Sequence, residues 1–370
     1  GLEVPTTTEE LEQALIAFRD NADALEKEFN IEGDVIPMSF IINNGDQDPA
    51  ILINGFGEGY GDTGDHFAVT DEGEVIYTTV QEGYKEGIKW LHSLVEQDLV
   101  DPEAFTQEWS SYVAKGKNHR YGLCFTWDIA NIDNYEDYVM MPALAGPDGL
   151  VNITRQNGSE TSGFDRGRCV LTTSCRDTAL AAAWIDQMCA PLQSPQNNWG
   201  TYGEKDADNI FEMSTNAEGG PMLKHLDLGD ASPVEVRQAQ SVNGPLAVLH
   251  DSNDVYVTQP DDAKWRLDNM HEVYLDDMHS KYVYPNVFMS IDDTNRVSQL
   301  DTDIKKYAEQ KKADWILNGG IDEEWDEYLQ KMEDYGLSEY LQIKQKYFDS
   351  YQESLAELEA AGSADAASGN

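Results

Sequence analysis

Basic residues are the scarce class in this chain of 370. Its 25 lysines and arginines stand against 69 aspartates and glutamates, a formal net charge of −44. Such a surface repels phosphates and anionic lipid headgroups, which argues against nucleic acid or a membrane surface as partners. Long apolar runs are also missing. No stretch of about 18 apolar residues occurs, so nothing reads as a membrane-spanning helix. Cysteine is sparse: Cys124, Cys169, Cys175 and Cys189 form no CxxC pair and show no metal-ligand spacing. They read as buried free thiols, with a Cys169–Cys175 disulfide as the alternative. Seven histidines are scattered, and no GxSxG, HExxH or Ser/His/Asp constellation is present. With 69 acids a carboxylate pair can always be found, so such pairs carry no weight as catalytic evidence. Internal repeats are absent. The opening Gly1-Leu2-Glu3-Val4-Pro5 carries no secretory signal and reads as the middle of a protein.

What is present is a globular composition, 40% apolar, in a chain long enough for two lobes. Residues 6–29 read as a helix, with Thr7 or Thr8 as cap and Glu9 and Glu10 in the first turn, where the helix dipole favours anions. Residues 35–42 read as a strand and 43–49 as a turn. Thr79 and Glu82 form a Thr-x-x-Glu capping box, so a helix is expected there, with Tyr84, Ile88, Leu91 and Val95 as its buried stripe. Asp101-Pro102 stops that helix and opens another, whose apolar face is Trp109, Tyr112 and Val113 and whose end is Gly116. A strand over 120–128 follows, ending in Trp127-Asp128. Residues 139–149 read as a strand and turn, 170–173 as a short strand, and a helix after Asp177 carries Leu180, Ala183, Trp184 and Met188. Residues 191–221 read as loop. A helix follows from Asp261 to about 280, and Pro285 breaks it. Three helices close the chain, the first two ended by Gly319-Gly320 and Gly336, the third capped by Ser338. Residues 356–370, rich in Ala, Ser and Gly, read as a disordered tail.

Two motifs invite chemistry and resist it. Gly55-Phe56-Gly57-Glu58-Gly59 has a GxGxG pattern, but no strand–loop–helix unit or Lys-Ser/Thr accompanies it and Glu58 would repel phosphate. A flexible loop at a cleft edge is the better reading. Asp46 and Asp48 alternate as calcium ligands do, but lack the following Gly and Glu, so they read as a solvated turn.

Several segments taken together resemble family 1 extracellular solute-binding proteins of ABC transporters, in their lipoprotein branch of carbohydrate-uptake type. These are residues 1–11, Leu99-Val-Asp-Pro-Glu-Ala-Phe-Thr106, the strand ending in Trp127, Trp199-Gly-Thr-Tyr-Gly-Glu204, and Ala313-Asp-Trp-Ile-Leu-Asn-Gly-Gly320 through Trp325, Tyr328 and Gly336-Leu337. The resemblance covers nearly the whole chain. It implies an α/β, two-lobe, periplasmic-binding-protein-like fold (type II) with a hinge, closing on a ligand. It also implies about a hundred or more residues ahead of residue 1, so the first lobe is expected to be incomplete. Residues 1–140 plus 290–355 would form one lobe and 141–289 the remainder of the other, with hinges near Met141-Pro142 and Pro285. Relatives often carry a calcium-type loop after the first helix. Residues 29–34 depart from it, so no metal and no cofactor are carried over.

The implied function is capture of a carbohydrate, an oligosaccharide, for delivery to ABC transporter permease subunits. The implied setting is a monomer outside the cell or in the periplasm, on the membrane only through a lipid anchor ahead of this sequence. Sugars present apolar C–H faces and hydroxyl edges, so a cleft needs aromatic platforms beside acids or amides. Trp127 with Asp128, Trp199 with Tyr202 and Glu204, Trp265, and Phe56 with Glu58 are the candidate ligand-binding residues, with no catalytic residue among them. In maltose-binding relatives the tryptophan at the matching strand end stacks on sugar. Trp90, Trp184, Trp315 and Trp325 lie on apolar helical stripes and read as core. The alternative reading is a secreted carbohydrate-active enzyme, a hydrolase or lyase. A third, a surface adhesion module, would show repeats.

Overall fold

Thr7 opens the first helix in the way its sequence predicts. In the computed structural model its Oγ1 accepts the Glu10 N–H at 3.1 Å, and the Glu10 carboxylate accepts the N–H of Thr6 at 2.9 Å. The helical stretch is two helices rather than one: α1 (Thr8–Asp20) and α2 (Ala22–Phe29), separated at Asn21. The structure describes residues 2–62, 64–153, 169–203, 209–227, 233–241, 256–258, 261–276, 278–279 and 281–368.

The chain divides into two units, Gly1–Trp127 with Ile132–Phe164 and His271–Asn370, and Asp128–Asn131 with Asp165–Met270. The first begins with α1, α2 and β1 (Ile36–Met38), followed by an antiparallel hairpin of β2 (Phe67–Val69) and β3 (Val75–Tyr77). Then come α3 (Glu82–Glu96), α4 (Trp109–Lys117) and β4 (Tyr121–Leu123). β4 lies parallel to β1, Ile36 opposite Tyr121 and Met38 opposite Leu123, and the intervening helices belong to the crossover connection that a parallel pair requires. The second unit holds α5 (Thr178–Met188), α6 (Gln193–Trp199), β5 (Phe211–Thr215), β6 (Pro221–His225), α7 (Pro233–Gln240), β7 (Tyr256–Val257) and α8 (Asp261–Met270). β5 and β6 are antiparallel and β7 runs parallel to β6. The chain then rejoins the first unit through α9 (Ile291–Asn318), α10 (Ile321–Asp334) and α11 (Leu337–Ser368).

The core of the first unit runs from Leu11 and Leu15 on α1 through Met38, Phe40 and Tyr77 to Ile88 and Leu91 on α3, and on to Trp315, Trp325 and Tyr328. Each tryptophan there finds an acceptor: Trp315 Nε1 donates to Glu324 at 2.7 Å and Trp325 Nε1 to Glu82 at 3.2 Å. Beneath α4, Lys115 Nζ donates to Asp101 at 2.7 Å and to Gln107 at 3.0 Å, while Ser39 Oγ donates to Asp101 at 2.7 Å. This buried set holds the residue after the α3 turn to the end of β1. The second unit has a small core of Ile210, Phe211, Leu223 and Val257, with Leu192, Trp199 and Val236 packed on it.

Several expectations are corrected. Thr79 does not cap α3: its Oγ1 bonds the buried Tyr328 hydroxyl at 2.8 Å, and the N-cap is Gln81. Asp101-Pro102 opens a run of turns, and α4 starts only at Trp109. The strand expected over 120–128 stops at Leu123, and no strand forms over 139–149 or 170–173. Residues 191–221 contain α6 and β5 rather than loop alone. The expected disordered tail is helical as far as Ser368. The crossings between units fall at 127–128, 131–132, 164–165 and 270–271, not at 140 and 289. Residues 141–153 stay with the first unit because they bond to it: Ala145 N–H donates to Thr6 at 2.8 Å and Asn152 to the Gly59 carbonyl at 2.5 Å. Met141-Pro142 and Pro285 therefore lie inside that unit rather than at its edge.

Candidate functional site

Trp127 sits four residues beyond the end of β4. The segment leading to it is pinned by Tyr112 of α4, whose hydroxyl accepts the Phe125 N–H at 2.9 Å and donates to the Phe125 carbonyl at 3.0 Å. Beyond that clamp the Trp127 ring is 64% exposed. An indole exposed on the segment that follows a strand is a flat apolar platform, the form a sugar's C–H face needs.

Asp128, the next residue, belongs to the second unit and is committed internally. One oxygen accepts the Ala130 N–H at 3.1 Å and the other accepts Arg266 Nε at 2.9 Å, fixing the 128–131 turn to α8. Burial raises its carboxyl above the usual range, outweighing the pull of Ala130 N–H and Arg266 in the other direction. Trp265, Arg266's neighbour on α8, is half-buried.

At the end of α6, Gly200 takes φ of +124°, which sets the chain toward Tyr202. Trp199 is half-buried on the small core of the second unit. Tyr202 is 38% exposed and lines a shallow depression of about 640 Å³ with Trp184, Gln187, Gln193 and Gln196. Glu204 lies outside the described residues. The reading of Trp184 as core is corrected. The ring is 62% exposed, and no residue of α5 is buried. The segment 178–188 is apolar around most of its circumference, so its periodicity does not distinguish a core face.

The glycine loop needs a correction. Phe56 is buried against Trp90, ring centroids 5.7 Å apart, and is a core residue rather than a ligand platform. The loop is no flexible edge: a Cβ on Gly57, where φ is +60°, would stand 2.6 Å from the Gly83 Cα on α3. The glycines permit backbone-to-backbone packing. Glu58 stays exposed, with the Tyr60 hydroxyl bonded to it.

Among the described residues no group of three His, Cys, Asp or Glu could hold a metal ion. Asp48 is not a solvated turn residue: it accepts Lys312 Nζ at 2.8 Å and the Ala50 N–H at 2.9 Å. All four cysteines are free, Cys169 exposed and Cys175 and Cys189 half-buried, so the reading of all four as buried thiols and the Cys169–Cys175 disulfide both fall. Burial pushes the Cys124 thiol up to about 12, which leaves it protonated and unreactive near neutrality.

No family model matches the chain. The fold does match solved structures. An HMO-binding, ABC-transporter-associated solute-binding protein from Bifidobacterium longum infantis superposes with a TM-score of 0.68 over 95% of this chain and 71% of that one, at 21% identity. The Streptococcus pneumoniae ABC-transporter substrate-binding protein FusA, solved with kestose, superposes with a TM-score of 0.82 at 44% identity, over 96% of this chain and 70% of that one. The chain therefore belongs to the ABC-transporter substrate-binding proteins and has their two-lobe, type II periplasmic-binding-protein-like fold. In sequence it is 44% identical over 353 residues to the fructooligosaccharide ABC transporter substrate-binding protein FusA of S. pneumoniae serotype 4. That match takes in 95% of this chain, which spans 63% of the curated relative's length.

Proposed function

We propose that this chain captures a short oligosaccharide for an ABC importer, and that its sugars are fructooligosaccharides. The observation that carries this reading is the 44% identity, over 95% of the chain, to FusA, a fructooligosaccharide-binding protein by name that has been solved with kestose and with fructo-nystose. The exposed indole of Trp127 supports it, since a stacking ring serves a neutral sugar and asks nothing of charge. Among the other candidates, Tyr202 and Glu58 present a ring face and a carboxylate to solvent, suited to a sugar's face and its hydroxyl edge. Trp199, Trp265 and Asp128 act as supports behind such contacts. The setting is the outer face of a cell membrane, beside permease subunits. Among the described residues no helix is long and apolar enough to cross a membrane.

Calorimetric titration with kestose, nystose and, as a non-fructan control, maltotriose tests the reading, with chromatography of each mixture after incubation. Saturable binding of kestose and nystose, none of maltotriose, and unchanged sugars are expected. A cooperatively melting protein that binds neither fructan overturns the substrate. Released monosaccharide overturns the transport role.

A further inference from the structure

The turn between α2 and β1 stands where family 1 solute-binding proteins often carry a calcium-type loop, and FusA has been solved as an EF-hand mutant. In this chain two residues hold that turn. Glu26 on α2 is the first. Its carbonyl accepts the Ile31 N–H at 3.0 Å, and its carboxylate oxygen Oε1 accepts the Val35 N–H at 3.0 Å. Asn30 makes the bend between them by taking φ of +53°, the left-handed form that ends a helix. Arg120, the residue before β4, is the second. Its Nε donates to the Asp34 carbonyl at 2.9 Å, and its own carbonyl accepts the Ile36 N–H at 2.7 Å. The guanidinium lies close against Gly33, where φ is +106° and an added Cβ would stand 3.0 Å from Arg120 Nε.

Calcium asks for about six to eight oxygens at about 2.3–2.6 Å, carboxylates among them. The donors of this turn are committed elsewhere. The Glu26 carboxylate is spent on an amide and the Asp34 carbonyl on a guanidinium. Glu32 and Asp34 are exposed, and among the described residues no three His, Cys, Asp or Glu gather to hold an ion. A dication would also meet the positive charge of Arg120 at the Asp34 carbonyl, where the two would compete for one oxygen. The residues present do not fit the ion. A bound ion draws loop oxygens to a positive centre. The guanidinium does the same from a side chain, through a charge-assisted hydrogen bond.

We propose that the α2–β1 turn takes no calcium, and that Arg120, with Glu26, does the ion's work by tying the turn to the start of β4. The fold of the first unit is then independent of calcium in the medium. None of these residues is among the candidate ligand residues, so this independence does not hang on which sugar the protein binds.

The test is a set of melting curves on the chain, stripped of metal with a chelator and then given millimolar calcium or the same concentration of magnesium. Magnesium controls for screening of the acidic surface, which either dication provides. Equal melting temperatures in the two salts are expected, with no saturable calcium uptake in calorimetry. Arg120→Met removes the guanidinium and keeps an apolar stem. It should lower the folding equilibrium constant roughly three- to tenfold in denaturant titration, and calcium should restore none of the loss. A melting temperature higher in calcium than in magnesium, or saturable calcium binding, overturns the proposal. So does an Arg120→Met variant as stable as the parent protein.

Discussion

At the scale of single residues, Trp127 and the helical tryptophans show what exposure decides. Trp315 and Trp325 are buried and each donates to a carboxylate, so their alanine variants lose a cavity's worth of packing along with a hydrogen bond. Trp127 is 64% exposed, so its loss should leave folding almost untouched. Stacking on a sugar face is worth about 1–2 kcal/mol beyond burial, so Trp127→Ala should weaken kestose binding roughly ten- to thirtyfold in calorimetry, with an unchanged melting temperature. Unaltered affinity would remove Trp127 from the site. The exposure of Trp127 was legible in the sequence from its polar flanks. The burial of Phe56 was not, because the residues that cover it, Trp90 on α3 among them, are remote in sequence.

At the scale of elements, some helix ends were legible and element partners were not. The Thr7 cap, the Asp177 cap, whose carboxylate accepts the Leu180 N–H at 2.9 Å, and the Gly319 stop at φ of +74° all form as the local sequence predicts. Each depends on atoms within a few residues. The glycine loop depends on chain far away. Gly55 and Gly146 touch backbone to backbone, and a Cβ on Gly146 would stand 2.1 Å from the Gly55 carbonyl oxygen. Neither side is a flexible side chain able to swing aside. Gly146→Ala should therefore destabilise the first unit by about 1–3 kcal/mol in denaturant titration. Gly149→Ala is the control, since a Cβ there meets nothing within 4 Å and only its φ of +77° is strained. Its effect should stay near 1 kcal/mol. Equal losses for the two would refute the close approach.

At the scale of the whole molecule, the excess of 69 acidic over 25 basic residues is a self-repelling charge. Raising ionic strength from about 0.01 to about 0.15 M shortens the screening length from ~30 to ~8 Å. The melting temperature should rise by roughly 2–4 °C for each kcal/mol of repulsion relieved. A melting temperature that falls over this range would mean that attractive pairs such as Lys311–Glu324 and Lys346–Asp293, both at 2.7 Å, outweigh the repulsion.

The sequence alone determined much of what acts over a turn of chain or over the whole composition: the Thr7 and Asp177 caps, the Gly319 stop, the acidic surface, and an order of motifs specific enough to point to the family. Tertiary structure decided the rest. Ile36 pairs with Tyr121, Thr79 turns to Tyr328 instead of capping a helix, and Asp48 is held by Lys312. Residues 141–153 fall in with the first unit. A helix closes its hydrogen bonds within four residues, so its signals are written locally. A strand, a buried loop or a paired charge is completed by an atom elsewhere in the chain, and only folding brings that atom into reach.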